Sequence, residues 1–491
     1  MTFTIFGSIF ILVADTNTPI KSFLEIPYDK LEEMNLSLKK KAESLSPKVL
    51  QTEHLTYLKK EPGIKALTVC FTDIEGRFHM LDYDKKFLLD SLENLTFDGS
   101  SIRGFSAQHE SDLRLDIDWS SFRLLPADVF GPGKSIAFAS VLGRDRKPYF
   151  SDFRGQLKLY TEKLQTDQGI TANGSTEIEG FVVDGIHAEQ EFGINHGFKL
   201  ISTGGYFHSL PLDKLREFID RSAEAQRAMG FQNEKDHPEV APSQFEMNFS
   251  YTNVLRASDQ VQLYKLVCRQ VARNMGLTAT FLPKPIMGIN GSGMHTNFSV
   301  AKNGKNIFYD VKGQDGLSKV AWGYISRLLN HAPEICLILN SSVNAYRRLD
   351  PHFEAPNQIK VSPNDRGSMI RIPVANERTA RIEVRSVAPD ANPYLVFYTI
   401  LKTGIEGDKL QPNDDKRPRM RFLPDNINDA IRLFKQSSFI TELLGEENKN
   451  KYTAFKQAVA DRSPKSLGTI IKDSEILYHH EVTNQVLWNM F

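Results

Sequence analysis

The sequence predicts an α+β protein on three observations. Short alternating, strand-like runs crowd the chain up to about residue 142, longer helical patterns appear after residue 150, and further strand candidates lie between those helices. Residues 1–60 stand apart as an N-terminal extension without an assigned role. The opening MTFTIFGSIFILVA is too short an apolar run to span a bilayer and lacks the basic flank of a signal peptide, and residues 35–62 are polar and lysine-rich. ALTVCFTDIEGRFHML then alternates as a hairpin turning at Glu75-Gly76, and short strands continue to SIAFASVL and the charged turn GRDRKP. A small β-rich domain is therefore expected over 61–145, and a second, larger one over 150–491. In the latter, Asp213–Met229 places Leu215, Phe218, Ile219, Ser222, Ala225 and Met229 on one stripe between a capping aspartate and Gly230. Asp259–Met275 repeats the design before Gly276. EIEGFVV, SQFEMNF, HTNFSV and RIEVRSV are the strand candidates between such helices, and the text after 422 is mostly helical.

Sixty Lys+Arg balance sixty Asp+Glu in the 491 residues, and 41% of them are hydrophobic. That apolar fraction excludes disorder, and the absence of a basic excess argues against nucleic-acid or membrane-surface partners. Small molecules and copies of the chain itself remain. The three cysteines, Cys70, Cys268 and Cys336, are far apart and odd in number, which fits neither a disulfide framework nor a zinc cluster and points to a reducing, cytoplasmic setting.

The chemistry lies where carboxylates sit inside otherwise apolar strand text. Glu177 and Glu179 are two apart in TEIEGFVVD, so on a strand both project from one face. Glu246 lies inside QFEMNF with Glu239 seven residues earlier, and Glu383 shares a face with Arg381 and Arg385 in ARIEVRS. Taken singly, each glutamate reads as a solvent-facing residue of an antiparallel strand. Together with His295, after the glycine-rich PKPIMGINGSGMH, they form a set of charges too costly to half-bury without a partner, and divalent cations are the common partner that suits them. GPGKS at 131–135 is not a P-loop, because Asp128 stands where the first glycine is needed.

FDGSSIRGF (97–105), GYF (205–207), HPEVAPSQFE (237–246), TATFLPKPIMGINGSGMH (278–295), RRLDPHFEAP (347–356) and RIEVRSVAPDANPY (381–394) follow one another in an order that resembles glutamine synthetase of type I. The resemblance implies a β-grasp domain, then a catalytic domain whose antiparallel strands form a funnel for ATP, glutamate, ammonium and two divalent cations, Mg2+ or Mn2+. Motif by motif, it implies that Glu179, Glu239 and Glu246 hold one cation and Glu177, His295 and Glu383 the other. It further implies that Asn290, Gly291, Arg348 and Arg385 bind glutamate, that Arg366 stands near the transferring phosphoryl group, and that Glu234, Ser299, Arg371, Arg378 and Arg381 lie on the ATP side. Asp98 matches an ammonium-site aspartate contributed by the adjacent subunit of a dodecamer, and Glu354 matches a flap glutamate. The implied reaction is ATP-dependent ligation of ammonia to glutamate through γ-glutamyl phosphate. The alternatives are a γ-glutamyl ligase for another amine, such as a polyamine, and a non-catalytic oligomeric relative. Asn297 departs from the family, which usually has a second histidine there, and no tyrosine-bearing adenylylation loop matches near KLQPNDDKRPR.

Overall fold

The structure, a computed structural model, describes residues 25–102, 105–106, 111–192, 197–209, 211–349, 355–409 and 420–461. Two sheets organise it. The first has five strands in the order Phe78–Asp84, Ala66–Thr72, Lys134–Leu142, Asp112–Leu124, Thr96–Asp98. Ala66–Thr72 pairs antiparallel with Phe78–Asp84 across the turn at Gly76 (φ 90°) and parallel with Lys134–Leu142. Gly76 is required twice over, since its φ is positive and a Cβ would stand 2.7 Å from the Cα of Asn392.

Residues 28–60 complete this first unit. Helices Tyr28–Ser44 and Pro47–Lys60 lay Leu31, Leu50 and Leu58 in one core with Leu67, Val69, Leu115 and Trp119 of the sheet. The seam of this hairpin is partly polar. Asn35 is buried, donates to the carbonyls of Leu124 (2.9 Å) and Ala228 (2.7 Å), and accepts from the Leu124 N–H, so one amide ties the first helix to both halves of the molecule. His54 stacks on Phe122.

The second sheet runs in the order Gln358–Ser362, Ser368–Arg371, Ile382–Val384, Met294–Lys302, Ile170–Asp184, Gln244–Phe249, Asn233–Pro238; only the first pair is parallel. Along Ile170–Asp184, Ile178 and Val182 enter the core with residues of helices Lys214–Ala228, Val254–Asn274, Lys319–Leu339 and Pro393–Glu406. Their neighbours Glu177 and Glu179 therefore face the other way, the period-2 consequence on which the site is built.

The helix expected from Asp213 is Lys214–Ala228, with the Asp213 carboxylate accepting from the Leu215 N–H at 2.7 Å. The helix expected from Asp259 instead begins at Val254, capped by Asn253, whose side chain accepts from the Arg256 N–H. Asp259 is an interior residue there because it answers a buried cation. Arg154 donates through Nε to Asp259 Oδ1 (2.9 Å) and through NH2 to Asp259 Oδ2 (2.8 Å) and Asp118 Oδ2 (3.0 Å), linking the two sheets' domains. The C-terminal text forms helices Ile427–Gln436, Ser438–Leu444 and Glu446–Ala460. From the last of these, Lys456 reaches Glu75 of the hairpin turn at 3.1 Å, both side chains buried. Among the described residues no helix is long and apolar enough to cross a membrane.

Candidate active site

Register decides which charges meet. Ile170–Asp184 is central, so Glu177 stands opposite His295 on one neighbour and Asn248 on the other, while Glu179 stands opposite Glu246. One strand further out, Asn297 pairs with Glu383 and Glu383 with Arg371; on the opposite side His237 pairs with Glu246. Side chains that are remote in sequence are thereby brought into two clusters of possible cation ligands, Glu177–His295–Glu383 and His237–Glu239–Glu246, each with ligand atoms within 4.8 Å of one another.

In the first cluster His295 Nδ1 lies 3.5 Å from Glu177 and 3.7 Å from Glu383. Glu383 is fully buried and held by Arg371 Nε at 2.5 Å and Arg385 NH1 at 2.6 Å. Burial opposes ionisation of Glu177, but the hydrogen bond and charge of His295, helped by Asn297 and Arg371, hold its carboxyl down at about 2.

The second cluster differs from the set expected from sequence. His237, two residues before Glu239, brings Nε2 to 3.6 Å from Glu246 and Nδ1 to 3.8 Å from Glu239. Glu179, the register partner of Glu246, lies next to this group, its Oε2 accepting from the Gly293 N–H at 2.8 Å. His237 enters because strand Asn233–Pro238 pairs it with Glu246, while Glu239 lies just beyond the end of that strand. Burial and then Glu179 push Glu239 up to about 8, and burial with Glu179, Glu177 and Glu239 pushes Glu246 well above the usual carboxylate range. Crowded, buried carboxylates with one imidazole per cluster are a donor set for a hard divalent cation, whose charge would relieve this repulsion.

Two cavities adjoin along Glu177. One, of about 320 Å³, is lined by Glu177, Glu179, Glu239, Glu246 and His295 together with Asn290, Gly291, Arg348, Arg366, Arg371 and Arg385. The other, of about 380 Å³, is lined by Glu177, Glu234, Asn297, Ser299, Arg378 and Arg381, with Tyr251 and Val374 as its apolar part. Arg371, expected on the ATP side, lines the first cavity, where its register partner is Glu383. Arg348 is buried, with NH1 donating to the Val387 carbonyl and NH2 to that of Arg385. Asp98 lines neither cavity of the single chain. It is exposed at the end of Thr96–Asp98, accepting from the Ser100 N–H and from both the Ser100 and Ser101 hydroxyls. Glu354 lies outside the described residues.

Asn297 occupies the wall between the cavities. Its Nδ2 donates to Glu177 Oε1 at 3.1 Å and its Oδ1 accepts from Arg381 Nε at 2.8 Å. Only this amide orientation satisfies both neighbours, since arginine cannot accept and a carboxylate cannot donate. Asn297→Ala is expected to remove this bridge between Arg381 and Glu177, a charged hydrogen bond worth about 1.5 kcal/mol, and chemical denaturation checks the loss.

Family models match most of the chain from residue 63 onward. Residues 63–140 match the glutamine synthetase β-grasp domain and residues 151–468 the glutamine synthetase catalytic domain. The chain is 37% identical over 418 residues to a glutamine synthetase of Methanosarcina mazei, covering 81% of this chain and 91% of that one. It is 34% identical over 433 residues to one of Thermotoga maritima, covering 85% and 96%. Among solved structures, a Plasmodium falciparum glutamine synthetase superposes with a TM-score of 0.76 at 22% identity over 87% of this chain and 98% of that chain. A structure described as apo GmaS without ligand superposes with a TM-score of 0.72 at 25% identity, over 85% and 96%.

Proposed function

The chain belongs to the glutamine synthetase family of ligases, and from that premise we propose that it joins ammonia to the γ-carboxylate of L-glutamate at the expense of ATP, giving glutamine, ADP and phosphate. The observation that carries the proposal is the wall at Glu177. It separates an arginine-rich cavity large enough for an amino acid from a second cavity with two further arginines, and cation-ligand clusters crowd its first side.

In this reading Glu234, Ser299, Arg378 and Arg381 hold the nucleotide, and Arg348 with Asn290 and Gly291 holds the amino-acid end of glutamate. The γ-carboxylate oxygen attacks the γ-phosphorus of ATP, ADP leaves, and γ-glutamyl phosphate forms. Arg366 and Arg385 meet the negative charge that spreads over the transferring phosphoryl oxygens. Two divalent cations, Mg2+ or Mn2+, bound by Glu177, His295 and Glu383 on one side and by Glu239 and Glu246 with Glu179 or His237 on the other, would supply Lewis acidity and a template. Ammonia then attacks the acyl carbon and phosphate leaves. A pocket of carboxylates draws ammonium in and accepts its proton, the role assigned to Glu354 and to Asp98 of a neighbouring copy. The exposure of Asp98 on the single chain, away from both cavities, supports a shared site in a homo-oligomer, which we take to be a dodecamer in the cytoplasm.

The test is phosphate release from ATP with glutamate, Mg2+ or Mn2+, and a panel of ammonium, methylamine and polyamines. Ammonium-dependent turnover is expected; turnover on another amine alone would move the protein to a neighbouring ligase activity, and no turnover would make it a non-catalytic relative. Asp98→Ala is expected to raise the KM for ammonium at least about tenfold, the loss of one charge-assisted contact. An unaltered ammonium dependence would remove Asp98 from the site.

A further inference from the structure

The short helix Val343–Arg348 places two functional side chains one turn apart on one face, Asn344 and Arg348. Arg348 reaches the first cavity. Asn344, also buried, grips the glycine-rich loop: its Nδ2 donates to the Lys284 carbonyl at 2.9 Å and its Oδ1 accepts from the Lys284 N–H at 2.6 Å. Both hydrogen-bonding groups of one peptide position are thus taken by a single amide, which fixes the loop in rotation as well as distance.

The loop so gripped is internally closed. The Lys284 ammonium donates to the Ile289 carbonyl, and the Ser292 N–H donates to the Pro283 carbonyl at 2.7 Å. Asn290 and Gly291, which line the cavity, sit between those two closures. The packing against Arg348 leaves little slack, since a Cβ on Gly291 would lie 3.1 Å from Arg348 Cγ and one on Gly293 would lie 2.5 Å from Arg348 NH2. The helix is itself pinned at its start, where the Ser342 hydroxyl accepts from the Ala345 N–H and donates to the carboxylate of buried Asp390.

We propose that Asn344 is a positioning residue for the amino-acid substrate: by clamping Lys284 it sets the spacing between the Arg348 guanidinium and the Asn290–Gly291 backbone, the two surfaces that would embrace the amino-acid end of glutamate. The proposal rests on the substrate reading given above. It assigns affinity for the acid to a side chain that lines neither cavity, and it separates the amino-acid side from the nucleotide side, since Asn290 and Gly291 of the clamped loop line the first cavity and not the second.

The test measures the full-length protein by calorimetry in the presence of Mn2+, with L-glutamate and with a non-hydrolysable ATP analogue as separate titrants. For Asn344→Ala, glutamate affinity is expected to fall about tenfold or more, as for a displacement of binding groups by a fraction of an ångström, with affinity for the ATP analogue unchanged within about twofold. Asn344→Ser, a milder loss of the same pair, takes its place if the alanine variant fails to fold. Unchanged glutamate affinity would overturn the proposal. So would an equal loss on the nucleotide side, which would mean that the residue only stabilises the sheet. A wild-type protein that binds the ATP analogue but no glutamate would overturn the substrate reading itself, and the proposal with it.

Discussion

Replacing Glu383 by glutamine is expected to lower ATP-dependent phosphate release by about 10²–10³-fold, the scale of losing one preorganised charge at a site of developing charge. Glu383 is fully buried and meets Arg371, Arg385 and His295 at once, so its charge organises three other groups. Glutamine keeps the shape but can neither neutralise the two guanidinium groups nor serve as an anionic ligand. Arg371 and Arg385 would then turn toward whichever acid remains, Glu177 first, and the first cluster would lose its geometry. The partial exposure of Arg371 lets water take over some of the lost pairing, so the melting temperature is expected to move by only a few degrees, against a far larger loss of rate. Activity within about fivefold of wild type, measured by phosphate release on a folded variant, would refute a role for Glu383 in cation binding.

Arg154→Met should unfold the protein at markedly lower denaturant, a loss of about 3–5 kcal/mol, because it removes one partner of a buried ionic network. Arg154 is 1% exposed and its guanidinium is shared between Asp259, on a helix of the catalytic domain, and Asp118, on a strand of the β-grasp sheet. Asp259 would retain the Tyr394 hydroxyl, which donates at 2.7 Å. Asp118, held at about 2 by Arg154 and Lys158 against the opposing effect of burial, would lose its principal counter-charge. Its carboxyl is depressed in the folded state, so its contribution is present above the unfolded carboxylate pKa of about 4 and lost as pH falls toward 2. Chemical denaturation at neutral pH checks the magnitude; a variant as stable as wild type would show that hydrophobic packing between the domains suffices without the network.

Much of the site was legible because strand periodicity is simple. The spacing of Glu177 and Glu179, and the apolar residues on either side of Glu383, are enough to set these carboxylates on one face of their strands, and the hairpin around Glu75-Gly76 follows from the same alternation. Other features depend on which strands become neighbours. Arg371 meets Glu383 because their strands pair, and the parallel pairing of Ala66–Thr72 with Lys134–Leu142 joins strands some sixty residues apart. His237 joins the second cluster through the pairing of its strand with that of Glu246, which spacing along the sequence does not reveal. The N-terminal helices were hidden for a different reason: their buried seam includes Asn35 and His54, so the apolar stripe of Leu31, Leu50 and Leu58 is interrupted by polar residues that find partners only in the folded protein. Asp259 misled in the same way, as a capping residue by type and an ion-pair partner in fact.

The neutral total of sixty against sixty charges also conceals the site, where acids and arginines are gathered around one cavity. The central claim is that these residues direct ATP's γ-phosphoryl group onto glutamate before the amine arrives. The most direct measurement supplies L-glutamate labelled with 18O in its γ-carboxylate, together with ATP, Mn2+ and ammonium, and examines the phosphate released by mass spectrometry. Because the bridging oxygen of the acyl phosphate leaves with phosphorus, one 18O atom per phosphate is predicted. Unlabelled phosphate accompanying glutamine formation would contradict the account.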